Sequence, residues 1–150
     1  MFRIRLVLVR SQTRWVFRVG RLFRVISSAA ALGLLLAGFA LDTLTVPIIL
    51  ASVALLSALY EESAVFDSAS NRAEFRWGLL PLHRTKSFPL SDIAEIRLST
   101  FGQAHFTSLE VGMADGAVLT IENDKGKTSA ERLTGWGQEL AQWLKRPLTT

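Results

Sequence analysis

The side chains that could carry out chemistry are few and lie far apart in the sequence. The two histidines, His83 and His105, are not spaced as HxxxH or HExxH, so we interpret them as surface or packing residues rather than metal ligands. Cysteine is missing, which excludes disulfides, thiol nucleophiles and thiolate metal sites. Residues 124–127 resemble part of a phosphate-binding loop but lack its upstream glycine, and we interpret them as a turn. We therefore expect no catalytic residue, no metal site and no cofactor, and the chain is not predicted to be an enzyme.

Charge divides the sequence into three zones. Residues 1–24 hold seven arginines and no acidic residue, residues 25–60 hold the single charge of Asp42, and residues 61–150 hold ten basic and twelve acidic residues. The high pI therefore comes from the N-terminus alone. A basic segment directly before apolar segments is typical of a protein at a membrane surface, and no nucleic-acid partner is expected.

The arginines of the basic N-terminal arm, residues 1–24, have a helical spacing. Four of them recur at intervals of four, four and three residues: Arg10, Arg14, Arg18 and Arg21. This spacing predicts a helix whose basic face lies against anionic headgroups at the membrane surface. Two alternatives stay open: the arginines do no more than fix the membrane topology, or residues 1–10 form a strand.

Two apolar segments without charge, residues 25–41 and 43–60, follow the arm. As helices, each has about the length that crosses a hydrocarbon core of ~30 Å. They predict a transmembrane helical hairpin over residues 25–60, packed through small residues at helical spacing: Ala29, Gly33 and Ala37, then Ala51, Ala54 and Ala58.

The arginines before the first apolar segment also predict an orientation. Basic residues favour the cytoplasmic side, so both termini should lie there, at a bacterial inner membrane or at a thylakoid if the organism is photosynthetic. A cleaved secretory signal peptide is the alternative, but the basic region is too long and the hydrophobicity resumes after Asp42.

From residue 61 the apolar residues alternate in short runs between turn residues. The runs predict six antiparallel strands, near residues 63–67, 73–80, 83–88, 93–99, 107–113 and 117–122. Thr128 and Glu131 are spaced as a capping box, and apolar residues at intervals of three and four then predict an amphipathic C-terminal helix. The predicted fold class is a two-helix membrane hairpin plus a cytoplasmic all-β or α+β domain over residues 61–150, an open barrel capped by the helix. This order of elements is that of the pleckstrin-homology-like (PH-like) superfold.

Short motifs in the same region resemble a known family. They are Phe66-Asp67, Phe75-Arg76-Trp77-Gly78, Pro81, Ser91-Asp92-Ile93 with Ile96, and Leu144-Lys145-Arg146-Pro147. With the two apolar segments, they resemble the bacterial membrane-anchored PH-like proteins, and within that group the two-helix photosystem I assembly protein family of cyanobacteria and chloroplasts. The loop between the apolar segments is shorter here than in that family, and the arginine-rich N-terminus is not part of its pattern. The resemblance implies a non-enzymatic scaffold in the assembly of a membrane complex.

The first three predicted strands carry a candidate binding surface of basic residues: Arg72, Arg76, His83, Arg84 and Lys86. Such groups could bind a phosphorylated lipid headgroup or an acidic protein surface; the alternative is an ordinary solvated strand face. Leucines beside Pro81, if exposed, would instead mark a protein contact or a tip that dips into the membrane.

The function that the sequence favours is a membrane-anchored scaffold or interaction module that aids assembly of a membrane protein complex. Its expected partners are the lipid bilayer and the subunits of that complex, and no small-molecule substrate is expected. Two alternatives stay open: a module that senses anionic lipid or phosphate, and an accessory subunit of a membrane enzyme or transporter.

Overall fold

The computed structural model describes residues 6–41, 43, 45–101 and 106–150. Its strands are β1 (Leu6–Arg10), β2 (Arg14–Val19), β3 (Tyr60–Asp67), β4 (Arg72–Leu79), β5 (Leu82–Pro89), β6 (Ile93–Phe101), β7 (Phe106–Met113), β8 (Val118–Lys125) and β9 (Leu148–Thr149). Its helices are α1 (Arg21–Ala40), α2 (Thr45–Leu59) and α3 (Lys127–Leu144), with a short 3-10 turn at Leu90–Asp92.

The first five strands form one antiparallel sheet in chain order, β1-β2-β3-β4-β5. Alternate residues of β2, which are Trp15, Phe17 and Val19, are buried. The strand register puts Trp15 opposite Phe66 and Phe17 opposite Ala64, and side chains opposite one another share a face of the sheet. The sheet therefore has an inner face that enters the core and an outer face that carries the intervening residues.

Helices α1 and α2 are inserted between β2 and β3. Strand β2 ends two positions before α1 begins, and β3 starts directly after α2, while β2 and β3 pair with each other. Both helices therefore leave the first sheet at the same end, which we call the helix end. The two helices contact each other, and each buries small residues: Ser27, Ala31 and Gly38 in α1, and Ala51 and Ala58 in α2.

The second sheet has the order β8-β7-β6-β9, in which β9 runs parallel to β6. Helix α3 packs on β6 and β7. A Cβ added at Gly137 would lie 3.2 Å from Leu109 Cδ1, so a residue without a side chain lets the helix come close to the sheet. Between the two sheets and α3 lies the core, whose fully buried side chains are Phe17, Phe66, Ile93, Ile96, Leu109, Val111, Leu133 and Leu140.

The predicted fold class is wrong in its membrane hairpin and in its barrel. Among the described helices, α1 alone is long and apolar enough to cross a membrane. Helix α2 has 15 residues, about 22 Å, because the chain enters β3 at Tyr60, which pairs with Leu79 of β4. The strands form two separate sheets rather than one open barrel. The C-terminal helix is present as α3.

The helical basic arm is also wrong. The described residues 6–10 form β1, as the alternative of a strand in residues 1–10 predicts, and residues 14–19 form β2, which pairs with β3. Part of the predicted arm therefore belongs to the same sheet as part of the predicted cytoplasmic domain. The predicted face of small residues is buried in α2 but not in α1, where Ala29, Gly33 and Ala37 are exposed.

Candidate functional site

The surface of α1 and α2 is the largest exposed apolar feature of the described chain. Large apolar side chains that are about half exposed or more follow both helices: Leu22, Val25, Ile26, Leu32, Leu36 and Phe39 on α1, and Val46, Ile48, Ile49, Leu50, Val53, Leu55 and Leu56 on α2. Soluble monomeric proteins rarely leave such a continuous apolar surface in water. A surface of this kind suits a lipid bilayer or an apolar protein partner.

Three arginines lie at the base of this helix pair, where β2 leads into α1. Arg18 lies near the end of β2, and Arg21 and Arg24 lie in the first turn of α1. Arg18 and Arg21 are exposed and Arg24 is half-buried. No acidic residue lies in the first turn of α1. Helix α1 therefore begins at a cationic segment formed by these three arginines, while Glu61 and Glu62 follow α2 at the same end of the sheet.

The four arginines of the predicted arm do not share a helical face. Arg10, at the end of β1, forms an ion pair with Glu139 of α3 and lies 6.0 Å from the centre of the Trp15 ring. Arg14 and Arg18 lie on the outer face of β2, and Arg21 is in α1. The structure thus joins Arg10 to α3 and separates it from the other three.

The five residues of the predicted basic surface fall on two faces of the β4–β5 pair. Arg72, Arg76 and His83 lie on the outer face, where Arg72 donates a hydrogen bond of 2.7 Å to Ser87 Oγ and Arg76 is ion-paired with Glu74.

The other two residues lie on the inner side, because Arg84 is opposite Trp77 and Lys86 is opposite Phe75. Both are nevertheless exposed, since β5 is the edge strand and extends beyond the core.

One row of the outer face brings together residues from both predicted groups. The registers align Arg18 with Ser63, Ser63 with Arg76, and Arg76 with Thr85. Neighbouring strands are about 4.8 Å apart, so the backbones of Arg18 and Arg76 are roughly 10 Å apart. The pairing of β2 with β3 creates this row, and the two strands are separated in sequence by the whole of α1 and α2.

A buried polar cluster joins β8, α3 and β1. Arg132 Nη2 donates hydrogen bonds of 3.1 Å to Glu122 and of 3.1 Å to Asp124, and Ser129 Oγ donates one of 2.8 Å to Asp124. The backbone N–H of Leu6 donates to the Glu122 carboxylate. The cluster therefore ties the C-terminal helix to both sheets.

Burial raises the pKa of Glu122 to about 7, against the lowering effects of Arg132 and of the Leu6 N–H. Its side chain is buried because of a β-bulge: Leu109 is opposite Glu122 while the next residue, Glu110, is opposite Thr120. Ile121 and Glu122 can thus both be buried although they are consecutive. Sequence reasoning missed this cluster, since an alternating strand pattern places one of two neighbouring residues in water.

At the helix end, Tyr60 and Glu62 form a second polar contact. The Tyr60 hydroxyl donates a hydrogen bond of 3.2 Å to Glu62, and both side chains are half-buried on β3. Burial, and then the charge of Glu62, raise the pKa of Tyr60. In the part of the chain that the structure describes, no group of three or more histidine, aspartate or glutamate side chains could hold a metal ion.

No protein-family model matches the chain, and no curated protein matches it at a significant level. The resemblance to membrane-anchored PH-like proteins and to the photosystem I assembly family therefore stays a prediction from short motifs.

Proposed function

We propose that the protein is a membrane-anchored interaction module that holds or guides other membrane proteins. The observation that carries this proposal is the exposed apolar surface of α1 and α2, which leaves the sheet as one insertion. Helix α1 has the length and composition of a membrane span, and α2 lies beside it. Burying that surface in lipid removes the cost of exposing it to water, roughly 25 cal/mol per Å² of apolar area.

The proposed orientation follows from the charges at the base of the helices. Arg18, Arg21 and Arg24 lie where the apolar surface begins, and such residues favour the cytoplasmic side of a membrane. Because α1 begins and α2 ends at the same end of the first sheet, the helix pair enters the bilayer from the side on which the sheets and α3 lie. The proposal therefore places the described strands and the C-terminus in the cytoplasm.

The proposed role is non-enzymatic. Its support is that the polar cluster between β8, α3 and β1 holds these elements together: Glu122 and Asp124 bind Arg132, and Glu122 also binds the backbone of β1. The partners we propose are subunits of a membrane protein complex, because a module tethered at the bilayer meets membrane proteins at high local concentration.

A variant without the helix pair tests the anchor. Continuing the pairing of Arg18 with Ser63 by two residues places Gly20 opposite Glu61, so an Asn-Gly turn between these two residues should close a β2–β3 hairpin. We call this deletion of residues 21–60 the turn-swap variant. We expect the full chain in the membrane fraction of cells and the turn-swap variant, shown to be folded by circular dichroism, in the soluble fraction.

The interaction role is tested by affinity purification of both proteins from native membranes in a mild detergent. We expect the full chain to recover a defined set of membrane proteins that the turn-swap variant does not recover. Recovery of the full chain alone, from the membrane fraction, would contradict the scaffold role while leaving the anchor intact.

A second candidate function is the sensing of anionic lipid, and the row of Arg18, Ser63 and Arg76 favours it. The test uses the turn-swap variant with vesicles of phosphatidylcholine, with and without phosphatidylglycerol. Binding that requires phosphatidylglycerol, and is lost in the double variant Arg18→Gln and Arg76→Gln, would support this function. Arg97→Gln on the second sheet is the matched control. Equal binding of all variants would contradict the sensing of anionic lipid by this row.

A further inference from the structure

The turn between β4 and β5 lies beside the end of α2. The backbone N–H of Leu80 donates a hydrogen bond of 2.9 Å to the carbonyl oxygen of Leu59, the last residue of that helix. Leu79 is opposite Tyr60, the residue that follows the helix. The turn is therefore held at the level where the apolar helix pair joins the sheet.

The turn exposes apolar side chains at that level. Leu82 is 84% exposed, and Leu79 and Trp77 are exposed as well. Leu79 lines one groove of about 340 Å³ together with Val53 and Leu56 of α2. The apolar surface of the turn is thus continuous with the apolar surface of the helix.

Basic residues follow the turn on β5. His83, Arg84 and Lys86 are exposed, and β5 contains no acidic residue. At about 3.3 Å per residue, Arg84 and Lys86 lie roughly 7 and 13 Å along the strand from Leu82. Apolar residues followed by cations at this spacing match the boundary between acyl chains and the phosphates of anionic headgroups.

We propose that the β4–β5 turn is a second membrane contact. Leu79, Leu80 and Leu82 enter the boundary between headgroups and acyl chains of an anionic bilayer beside α2, and Arg84 and Lys86 bind the lipid phosphates. The contact gives the sheets a second point of attachment to the membrane besides the helix pair. This inference rests on the proposed membrane anchor.

Because the chain contains no cysteine, a single cysteine can carry an environment-sensitive fluorophore such as NBD. Three labelled full-length variants are compared: Leu82→Cys at the turn, Leu36→Cys on α1, and Ser70→Cys in the turn between β3 and β4. Ser70 is exposed and lies at the opposite end of the first sheet from the helix end. They are reconstituted into phosphatidylcholine–phosphatidylglycerol vesicles that carry nitroxide lipids with the quencher near the headgroup or deep in the acyl chain.

We expect the Leu82 label to be quenched by the shallow nitroxide, the Leu36 label more by the deep one, and the Ser70 label by neither. A Leu82 label as unquenched as the Ser70 label, with the Leu36 label quenched, would overturn the turn contact and leave the anchor intact. If the Leu36 label is also unquenched, the anchor itself fails.

The role of the basic residues is tested in the same assay. Arg84→Gln and Lys86→Gln should each lower the ratio of membrane-bound to unbound β4–β5 turn by roughly fivefold. The loss is measured as weaker quenching of the Leu82 label by the shallow nitroxide. Arg97→Gln, on the second sheet, should leave the quenching unchanged. Quenching that is insensitive to the first two substitutions would overturn the assignment of phosphate binding to β5.

Discussion

Replacing Glu122 by glutamine should change how the stability of the protein depends on pH. Glu122 is only 6% exposed, and its pKa is raised to about 7 because burial disfavours the carboxylate. Its ordinary value is 4.5. Between these two values the folded protein holds a proton that the unfolded chain has released.

The sign and size of the effect follow from proton linkage. The native state binds more protons than the unfolded state in this window, so the free energy of unfolding falls as the pH rises from about 4.5 to about 7. A difference of about 2.5 pKa units corresponds to roughly 3 kcal/mol. Glutamine keeps an oxygen that can accept the Leu6 N–H but does not titrate, so Glu122→Gln should remove this part of the pH dependence.

The assay is urea unfolding of the detergent-solubilised protein, followed by tryptophan fluorescence at several pH values between about 4 and about 8. The free energy of unfolding of the wild type, minus that of Glu122→Gln, should fall by roughly 3 kcal/mol as the pH rises through this window. The wild type therefore loses stability relative to the variant at high pH. Glu131→Gln, at an exposed position on α3, is the control and should run parallel to the wild type. Parallel curves for Glu122→Gln and the wild type would refute the reasoning.

Three further substitutions should lower stability by different mechanisms, each measured by the same unfolding assay. Leu140→Ala should cost about 2–5 kcal/mol, because Leu140 is fully buried, and a loss below 1 kcal/mol would show that the site collapses around the smaller side chain. Gly78→Ala should cost about 1–3 kcal/mol, because Gly78 has φ +137° and an added Cβ would lie 2.8 Å from Leu82 O; an unchanged midpoint would contradict this. Trp143→Phe should cost about 1 kcal/mol through loss of the 3.0 Å hydrogen bond from its Nε1 to Gln12 O, and an unchanged stability of Trp143→Phe would contradict that assignment.

Local patterns were sufficient to predict the strands after residue 61. The six predicted strands overlap β3 to β8, because alternation on one buried face and turn residues such as Asp115-Gly116 are visible over a few residues. The C-terminal helix was predicted for the same reason. Its capping box was wrong: α3 has Gly126 at its N-cap without a side-chain cap, and Ser129 bonds Asp124 instead.

Strand β2 was missed because two periodicities coincide. A spacing of four residues puts Arg14 and Arg18 on one face of a helix and also on one face of a strand. Trp15, Phe17 and Val19 distinguish the two, because their alternation with the arginines fits a strand and does not fit a helix.

Long-range pairing explains the rest of what the sequence could not show. The basic row of Arg18 and Arg76 exists because β2 pairs with β3 across the whole of α1 and α2. The early end of α2 depends on Tyr60 pairing with Leu79, and the burial of Glu122 depends on a bulge opposite β7. None of these contacts leaves a periodic signal in the residues concerned.

The most direct test of the membrane anchor is flotation of the purified full chain with lipid vesicles in a density gradient, followed by washing in high salt and in alkaline carbonate. The exposed apolar surface of α1 and α2 predicts that the full chain stays with the vesicles through both washes, while the folded turn-swap variant does not. Release of the full chain by either wash would contradict the anchor and would assign the apolar helix surface to a protein partner.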